Sequence, residues 1–328
     1  MMPVNASVPE IIAHRGVPGL RLEHTAASHH LAAESGADYI EPDVVATQDG
    51  HLVVRHENEI GHTTDIADRP EFAARRTEKT IDGVTKTGWF SEDFTLAELK
   101  TLRCREALPD LRPANRVHDD QHQILTFDEY LDIADEHGVP IYVETKHPTH
   151  FLAHGLDLNA MVLKVLERRG RNTQESRDII QSFEVTNLRQ LRSQTPLRLV
   201  QLVGSRGAPA DLVAAGDPRT FADLLADLDE LATYADGIGP HKSLVIDPWP
   251  TPTDLVERAH AAGLLVHLWT MRDENHFLPT ALREGDDPRD HGRAIEEYFP
   301  YFDAGVDALF TDFTPTAVEA RRQWLART

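Results

Sequence analysis

Eight short runs of apolar and β-branched residues recur along the chain, and most are followed by a segment whose apolar residues return at helical spacing. The runs cover residues 11–14, 39–43, 141–146, 178–183, 197–203, 237–241, 264–270 and 308–313. Helical patterning covers 25–35, 95–104, 126–136, 158–169, 185–193, 220–234, 252–262 and 314–326. Thr126 and Thr314, at the starts of their segments, and Asp254, two residues into its own, suit helix N-termini. Eight alternating units in 328 residues predict an α/β fold, a (β/α)8 TIM barrel, rather than an open doubly wound sheet. The absence of a Gly-x-Gly-x-x-Gly fingerprint points the same way. The chain, 1–328, reads as a single barrel domain with an insertion near the second strand and its hairpin, at 57–123.

One extra strand candidate, His51 to His56, follows the second run after only Asp49-Gly50, too short a link for a parallel crossover. It must return as a hairpin, and Asp-Gly is a favoured hairpin turn. With Gln48 and His51 flanking that turn, Ala46 pairs with Val53, Val44 with Arg55, and Asp43 with His56. The stretch from Glu57 to Gln123 then turns polar, with glycines, prolines and mixed charge, as expected of a functional lid or binding loop.

Charge narrows the partners. Lys and Arg number 33 against 54 Asp and Glu, a net −21, which argues against nucleic acid and against anionic lipid. The single Cys104, read as a buried helix residue, excludes an intrachain disulfide and a cysteine-built metal site. The first sixteen residues lack the basic and apolar regions of a secretory leader, and no apolar stretch is long enough to span a membrane. These features predict a cytoplasmic protein without membrane insertion, periplasmic or secreted only if a leader precedes this sequence.

Barrel enzymes carry their chemistry where strands end. Those ends supply His14 and Arg15, Glu41 and Asp43, Glu144 and Lys146, then Gln181, Gln201, His241, Trp269 and Asp312. Glu41 and Asp43, two apart on a strand, share a face with Tyr39 that must look into the barrel mouth, while Ile40 faces the helices. Glu144 and Lys146 repeat the spacing. Converging carboxylates raise one another's pKa, a conflict that one hard divalent cation, Ca²⁺ or Mg²⁺, resolves; an ion network with Lys146, Arg15 and Arg55 is the alternative. His14 and His56 are open to three readings: general acid and base, zinc ligands, or satisfied structural histidines. His29, His30, His118, His122, His150 and His154 read as surface residues. Arg15 offers a planar donor fork suited to phosphate.

IIAHRG (11–16), EHT (23–25), IEPD (40–43), QDGHLVVRHE (48–57), VETKHP, IQSFE (180–184), HLWT (267–270) and FTDF (310–313) occur in an order that resembles the glycerophosphodiester phosphodiesterase family, in particular its larger bacterial form with an insertion. The resemblance implies that His14 and His56 are the catalytic acid and base, that Glu41, Asp43 and Glu144 bind the metal, and that Arg15 and Lys146 hold the phosphate. It further implies that Glu23 supports the first loop and that Gln181, Phe183 and Trp269 line the substrate end, with Trp269 otherwise a core aromatic. Asp312 would support the site or cap the final helix. His24 and Leu22 stand where the family more often has Asn and Pro, and Glu57 where it more often has Asp.

The implied reaction is metal-dependent hydrolysis of a small glycerophosphodiester to sn-glycerol 3-phosphate and an alcohol such as choline, ethanolamine or glycerol, with Trp89 and Phe90 of the insertion covering the head group. The alternatives are a phosphodiesterase or lyase acting on lysophospholipids or other diesters, and a zinc amidohydrolase-like barrel with His14 and His56 as ligands. The latter lacks its usual His-x-His, since His267 is followed two residues on by Trp269. A barrel kept only for binding would have lost these acids or histidines. A homo-oligomer is compatible with the sequence.

Overall fold

The computed structural model describes residues 8–327, so the first seven of the sixteen residues read against a leader lie outside the described residues. Strands form at all eight predicted runs: Glu10–Ala13, an interrupted second strand (Tyr39–Ile40 and Asp43–Ala46), Tyr142–Thr145, Ile179–Ser182, Arg198–Val203, Gly237–Pro240, Leu265–Met271 and Ala308–Thr311. Neighbours pair in parallel around the ring, and the first strand pairs with the eighth. The two halves of the second strand close the ring. Tyr39–Ile40 bonds to the first strand and Asp43–Ala46 to the third, with a bridge from Ile40 to Ile141. The break falls at Pro42, which has no N–H to give the ladder but whose carbonyl accepts from the Glu144 N–H at 2.9 Å.

Side-chain alternation sorts the residues as predicted. Tyr39 joins Ile12, Tyr142, Ile179, Val200, Ala308 and Phe310 inside the barrel, while Ile40 belongs to the apolar layer under the helices. Each such aromatic or aliphatic side chain, once buried, contributes about 1.5–3 kcal/mol. The Tyr142 hydroxyl and His267 Nδ1 meet at 2.8 Å, and burial lowers the His267 pKa to about 4, so it sits neutral within the barrel. This packed interior leaves the site to the carboxyl ends of the strands.

Most helices follow the pattern, among them Ala26–Glu34, Phe127–His137 with its Thr126/Glu129 capping box, and Leu158–Arg168. Three details differ. Helical structure in 95–104 is confined to Leu96–Leu99, so Cys104 is buried but pairs in a bridge with Thr64 instead of lying in a helix. The 220–234 segment splits at Asp227, whose carboxylate takes the Glu230 N–H and starts a new turn. Thr314 is the first helical residue, preceded by Phe313 at the N-cap.

The return arm of the hairpin, Leu52–Val54, is offset by one residue from expectation: Val44 pairs with Val54, Val45 with Val53, Ala46 with Leu52. The loop holds three residues, 48–50, because Gly50 adopts φ +76° and the Thr47 N–H reaches the His51 carbonyl. Arg55, not His56, therefore stands opposite Asp43, donating its N–H to the Asp43 carbonyl at 3.0 Å. The stretch 57–123 contains a two-stranded hairpin, Thr77–Ile81 and Val84–Gly88, with short 3-10 turns and the Leu96–Leu99 helix.

Candidate active site

The loop after the first strand turns sharply: Arg15 and His24 both hold φ near +55°, and the His24 N–H closes the loop onto the Arg15 carbonyl. Gly16, at φ +91°, packs where a Cβ would collide with Ser28. This turn aims the Arg15 N–H at Glu41 Oε2 (2.9 Å) and its guanidinium at Glu23 (3.0 Å) and Asp43 (3.5 Å). Glu23 thus accepts from the guanidinium at the head of this loop.

Glu41, Asp43 and Glu144 are buried and offer carboxylate oxygens that all lie within 4.8 Å of one another. Gln181 Nε2 donates to Glu41 Oε1 (2.8 Å), and Lys146 Nζ to Glu144 Oε1 (2.8 Å). His24, which the sequence left without a place, is wholly buried and meets Asp43 Oδ2 at 2.8 Å. Asp43 Oδ1 has no hydrogen-bond partner. Burial and the neighbouring carboxylates push Glu41 well up, and burial with Asp43 carries Glu144 to about 7 despite Lys146. Burial would also raise Asp43, but Lys146 and the His24 hydrogen bond hold it well below the usual range. An orphaned carboxylate oxygen among three crowded acids fits a hard divalent cation, and these acids could hold one.

His14 and His56 flank this cluster. His14 Nδ1 lies 2.6 Å from Asp312 Oδ1; the carboxylate can only accept, so Nδ1 carries the proton and Nε2 keeps its lone pair. Asp312 Oδ2 accepts from Arg112 (2.6 Å) and Arg272 (2.7 Å), and Arg112 also donates to Glu274 (2.6 Å). Burial would raise Asp312, yet Arg272 and Arg112 hold it well down. His56 Nδ1 faces Glu57 at 3.1 Å and its Nε2 faces Lys146 Nζ at 3.1 Å. Burial and Arg15 lower the pKa of His14 to about 4 and of His56 to about 3, so both are neutral at pH 7. Neither belongs to a group of metal-ligand atoms among the described residues, contrary to the zinc reading.

Two cavities meet at these histidines. One, of about 340 Å³, contains Glu41, Glu144, Lys146, Gln181, Phe183 and Trp269; the other, of about 670 Å³, runs between barrel and insertion past Glu57, Glu59, Lys86, Glu106 and Arg112. His14, Arg15, His56 and Arg272 line both. Trp269 is anchored by its N–H to the Gly239 carbonyl (2.8 Å) and packs edge-on against Phe183.

Some expectations fail. Trp89 and Phe90 line neither cavity: Phe90 is fully buried and Trp89 donates to the Phe72 carbonyl, because the insertion folds around its own aromatics. His29 is buried against Tyr130 and His150 is mostly buried on Glu92, so neither is a surface residue. Arg112 and Arg272 were missed, since only the fold brings them to Asp312.

His147 ties the insertion to the barrel through Asp82 (2.5 Å) and Glu57 (3.6 Å). Burial opposes its charge, but the hydrogen bond to Asp82 and the nearby Glu57 carboxylate raise its pKa to about 9. A raised histidine pKa contributes stability that is complete below the unfolded value near 6.5 and lost as pH climbs through 9. Thermal unfolding should therefore fall by about 2–4 °C more between these pH values in the wild type than in His147→Gln; identical slopes would refute the clamp.

The sequence profile of the Glycerophosphoryl diester phosphodiesterase family matches residues 14–316. A glycerophosphodiester phosphodiesterase of Arabidopsis thaliana is 35% identical over 332 residues, covering 95% of this chain and 86% of that protein. One from Haemophilus influenzae is 26% identical, covering 94% of this chain and 88% of its own. A crystal structure from Silicibacter pomeroyi gives a TM-score of 0.70 at 21% identity, over 97% of this chain and 95% of that one. An Oleispira antarctica phosphodiesterase, solved in complex with the product sn-glycerol-3-phosphate, gives 0.63 at 22% identity over 96% and 97%. At such identities the two structures bear on the fold.

Proposed function

The chain belongs to the glycerophosphoryl diester phosphodiesterase family and is a glycerophosphodiester phosphodiesterase, and from that premise we propose that it hydrolyses small glycerophosphodiesters to sn-glycerol 3-phosphate and the free alcohol. The observation that carries this reading is the placement of two neutral, carboxylate-backed histidines at the junction of two cavities, beside a buried three-carboxylate cluster. The glycerol phosphate occupies the inner cavity, against Gln181, Phe183 and Trp269. The alcohol occupies the outer one, under the insertion, with the whole chain acting as one domain.

A divalent cation, Ca²⁺ or Mg²⁺, held by Glu41, Asp43 and Glu144, supplies Lewis-acid stabilisation of the phosphoryl charge when bound. Arg15 and Lys146 aim donors at the phosphoryl oxygens, where fixed charge acts most strongly on the transition state. One imidazole of the His14/His56 pair takes the proton of the attacking hydroxyl oxygen as the new P–O bond forms. The other first takes up a proton from solvent at its Nε2 lone pair, as the anionic diester binds, and gives that proton to the alcohol oxygen as the old P–O bond breaks. Each contributes on the order of 10²- to 10⁴-fold. Asp312 keeps His14 in the required tautomer, as Glu57 does for His56. Glu23 fixes the Arg15 loop.

The test is glycerol 3-phosphate release from glycerophosphocholine, followed with a coupled dehydrogenase. Release should stop on chelation, return with Ca²⁺ or Mg²⁺, and drop by about 10²-fold or more in His14→Ala. Full activity in chelator or in that variant would overturn the assignment.

A further inference from the structure

A second constellation of metal-binding side chains lies on the outside of the barrel, and nothing in the reaction above uses it. His30 stands in the middle of helix Ala26–Glu34, and Glu136 and His137 form the last turn of helix Phe127–His137. That turn precedes the third strand, so the group sits toward the end of the barrel where strands begin, opposite the mouth. One ligand atom from each of the three lies within 4.8 Å of the others. The two imidazoles face each other directly, with His30 Nδ1 2.9 Å from His137 Nε2 and the rings inclined at 65°. Both histidines are partly exposed and Glu136 is exposed, so an ion can enter from solvent.

We propose that His30, His137 and Glu136 bind a borderline transition-metal ion of the Zn²⁺ class, as a site separate from the all-oxygen cluster in the mouth. Two nitrogens bound to zinc at about 2.0–2.1 Å in tetrahedral geometry stand about 3.3 Å apart. The observed 2.9 Å needs to open by only a few tenths of an ångström, a rotamer adjustment within two rigid helices. The Glu136 carboxylate supplies the third ligand and compensates the ion's charge, and water completes the sphere. Placement at the carboxyl end of a helix adds to this, because the macrodipole there favours a cation. The ligand types set the ion class: paired imidazoles select zinc, cobalt, nickel or copper, whereas the carboxylate cluster selects a hard cation. Bound there, the ion fastens the first helix to the next along the barrel wall.

The experiment compares the full chain with the His30→Gln/His137→Gln double variant, both stripped with chelator and returned to millimolar Mg²⁺. Zn²⁺ titrated at pH 7.5 should bind the wild type with one equivalent more than the variant, and Co²⁺ should give a visible band in the wild type alone. Zn²⁺ should also raise the thermal midpoint of the wild type and leave that of the variant unmoved. Unchanged Mg²⁺-supported turnover in the variant establishes that its fold and mouth are intact. Equal Zn²⁺ stoichiometry in the two proteins, or wild-type binding weaker than about 0.1 mM at the extra site, overturns the proposal.

Discussion

Replacing Arg112 by methionine is expected to cost the fold about 3–5 kcal/mol, as loss of one member of a buried ion pair does. The Arg112 side chain is 5% exposed and joins Glu274 and Asp312, themselves 2% and 3% exposed, by bonds of 2.6 Å each. Asp312 keeps Arg272 and His14 after the substitution, whereas Glu274 loses the only side-chain partner its Oε1 has among the described residues, and its Oε2 has none there already. The stranded charge is thus on Glu274. Adding Glu274→Gln to the methionine variant should recover most of the stability, measured by urea unfolding. Turnover should behave differently. Without Arg112 the Asp312 carboxylate is free to shift toward Arg272, and His14 loses part of its orientation, so kcat should fall by about 10- to 100-fold with little change in KM. The second substitution should not restore it. If the double variant regains activity together with stability, Arg112 acts on the fold alone.

Lys146→Met should remove about 10²- to 10³-fold in turnover, comparable to losing one donor aimed at developing charge. Its ammonium lies 2.8 Å from Glu144 and 3.1 Å from His56, and it is the largest charge holding Asp43 ionised. Without it, three buried carboxylates face one another with Arg15 as the cation in contact with them. The variant should therefore be markedly less stable in chelator than the wild type. Ca²⁺ or Mg²⁺ should restore its melting temperature further than that of the wild type, because the cation takes over the neutralising charge. Activity should stay low in either case, since the ion cannot replace a donor at the phosphate. A variant that melts identically with and without divalent cation would contradict the assignment of the three acids.

The barrel and most of the mouth were legible because both follow from short-range pattern. Apolar strands end in titratable residues, and the period of two places Glu41 beside Asp43 and Glu144 beside Lys146 on the inner face. The hairpin shows where such reasoning stops. Asp49-Gly50 reads as a two-residue turn, but the left-handed conformation of Gly50 closes a three-residue loop, and the pairing moves by one. His56 still reaches the mouth, because it lies just past the last paired residue and not within the ladder.

The less legible parts are long-range. Arg112 is 200 residues from Asp312, in a stretch without periodicity, and no local signal marks it as the partner of His14's carboxylate. His24 and His29 look alike in sequence on a polar, alanine-rich background. One reaches Asp43 and the other is enclosed beside Tyr130, a difference decided by the left-handed turn at His24. Trp89 and Phe90 had the right chemistry for a cover and were drawn inward by the insertion's own need for a core.

The bonds of Arg112 also fasten the insertion to the barrel beside the outer cavity. A buried cation fixed at two points to the last strands' loops leaves the wall of the outer cavity no hinge at that position. Any change that loosens Arg112 in the insertion is therefore passed through Asp312 to the His14 imidazole on the far side of the same carboxylate.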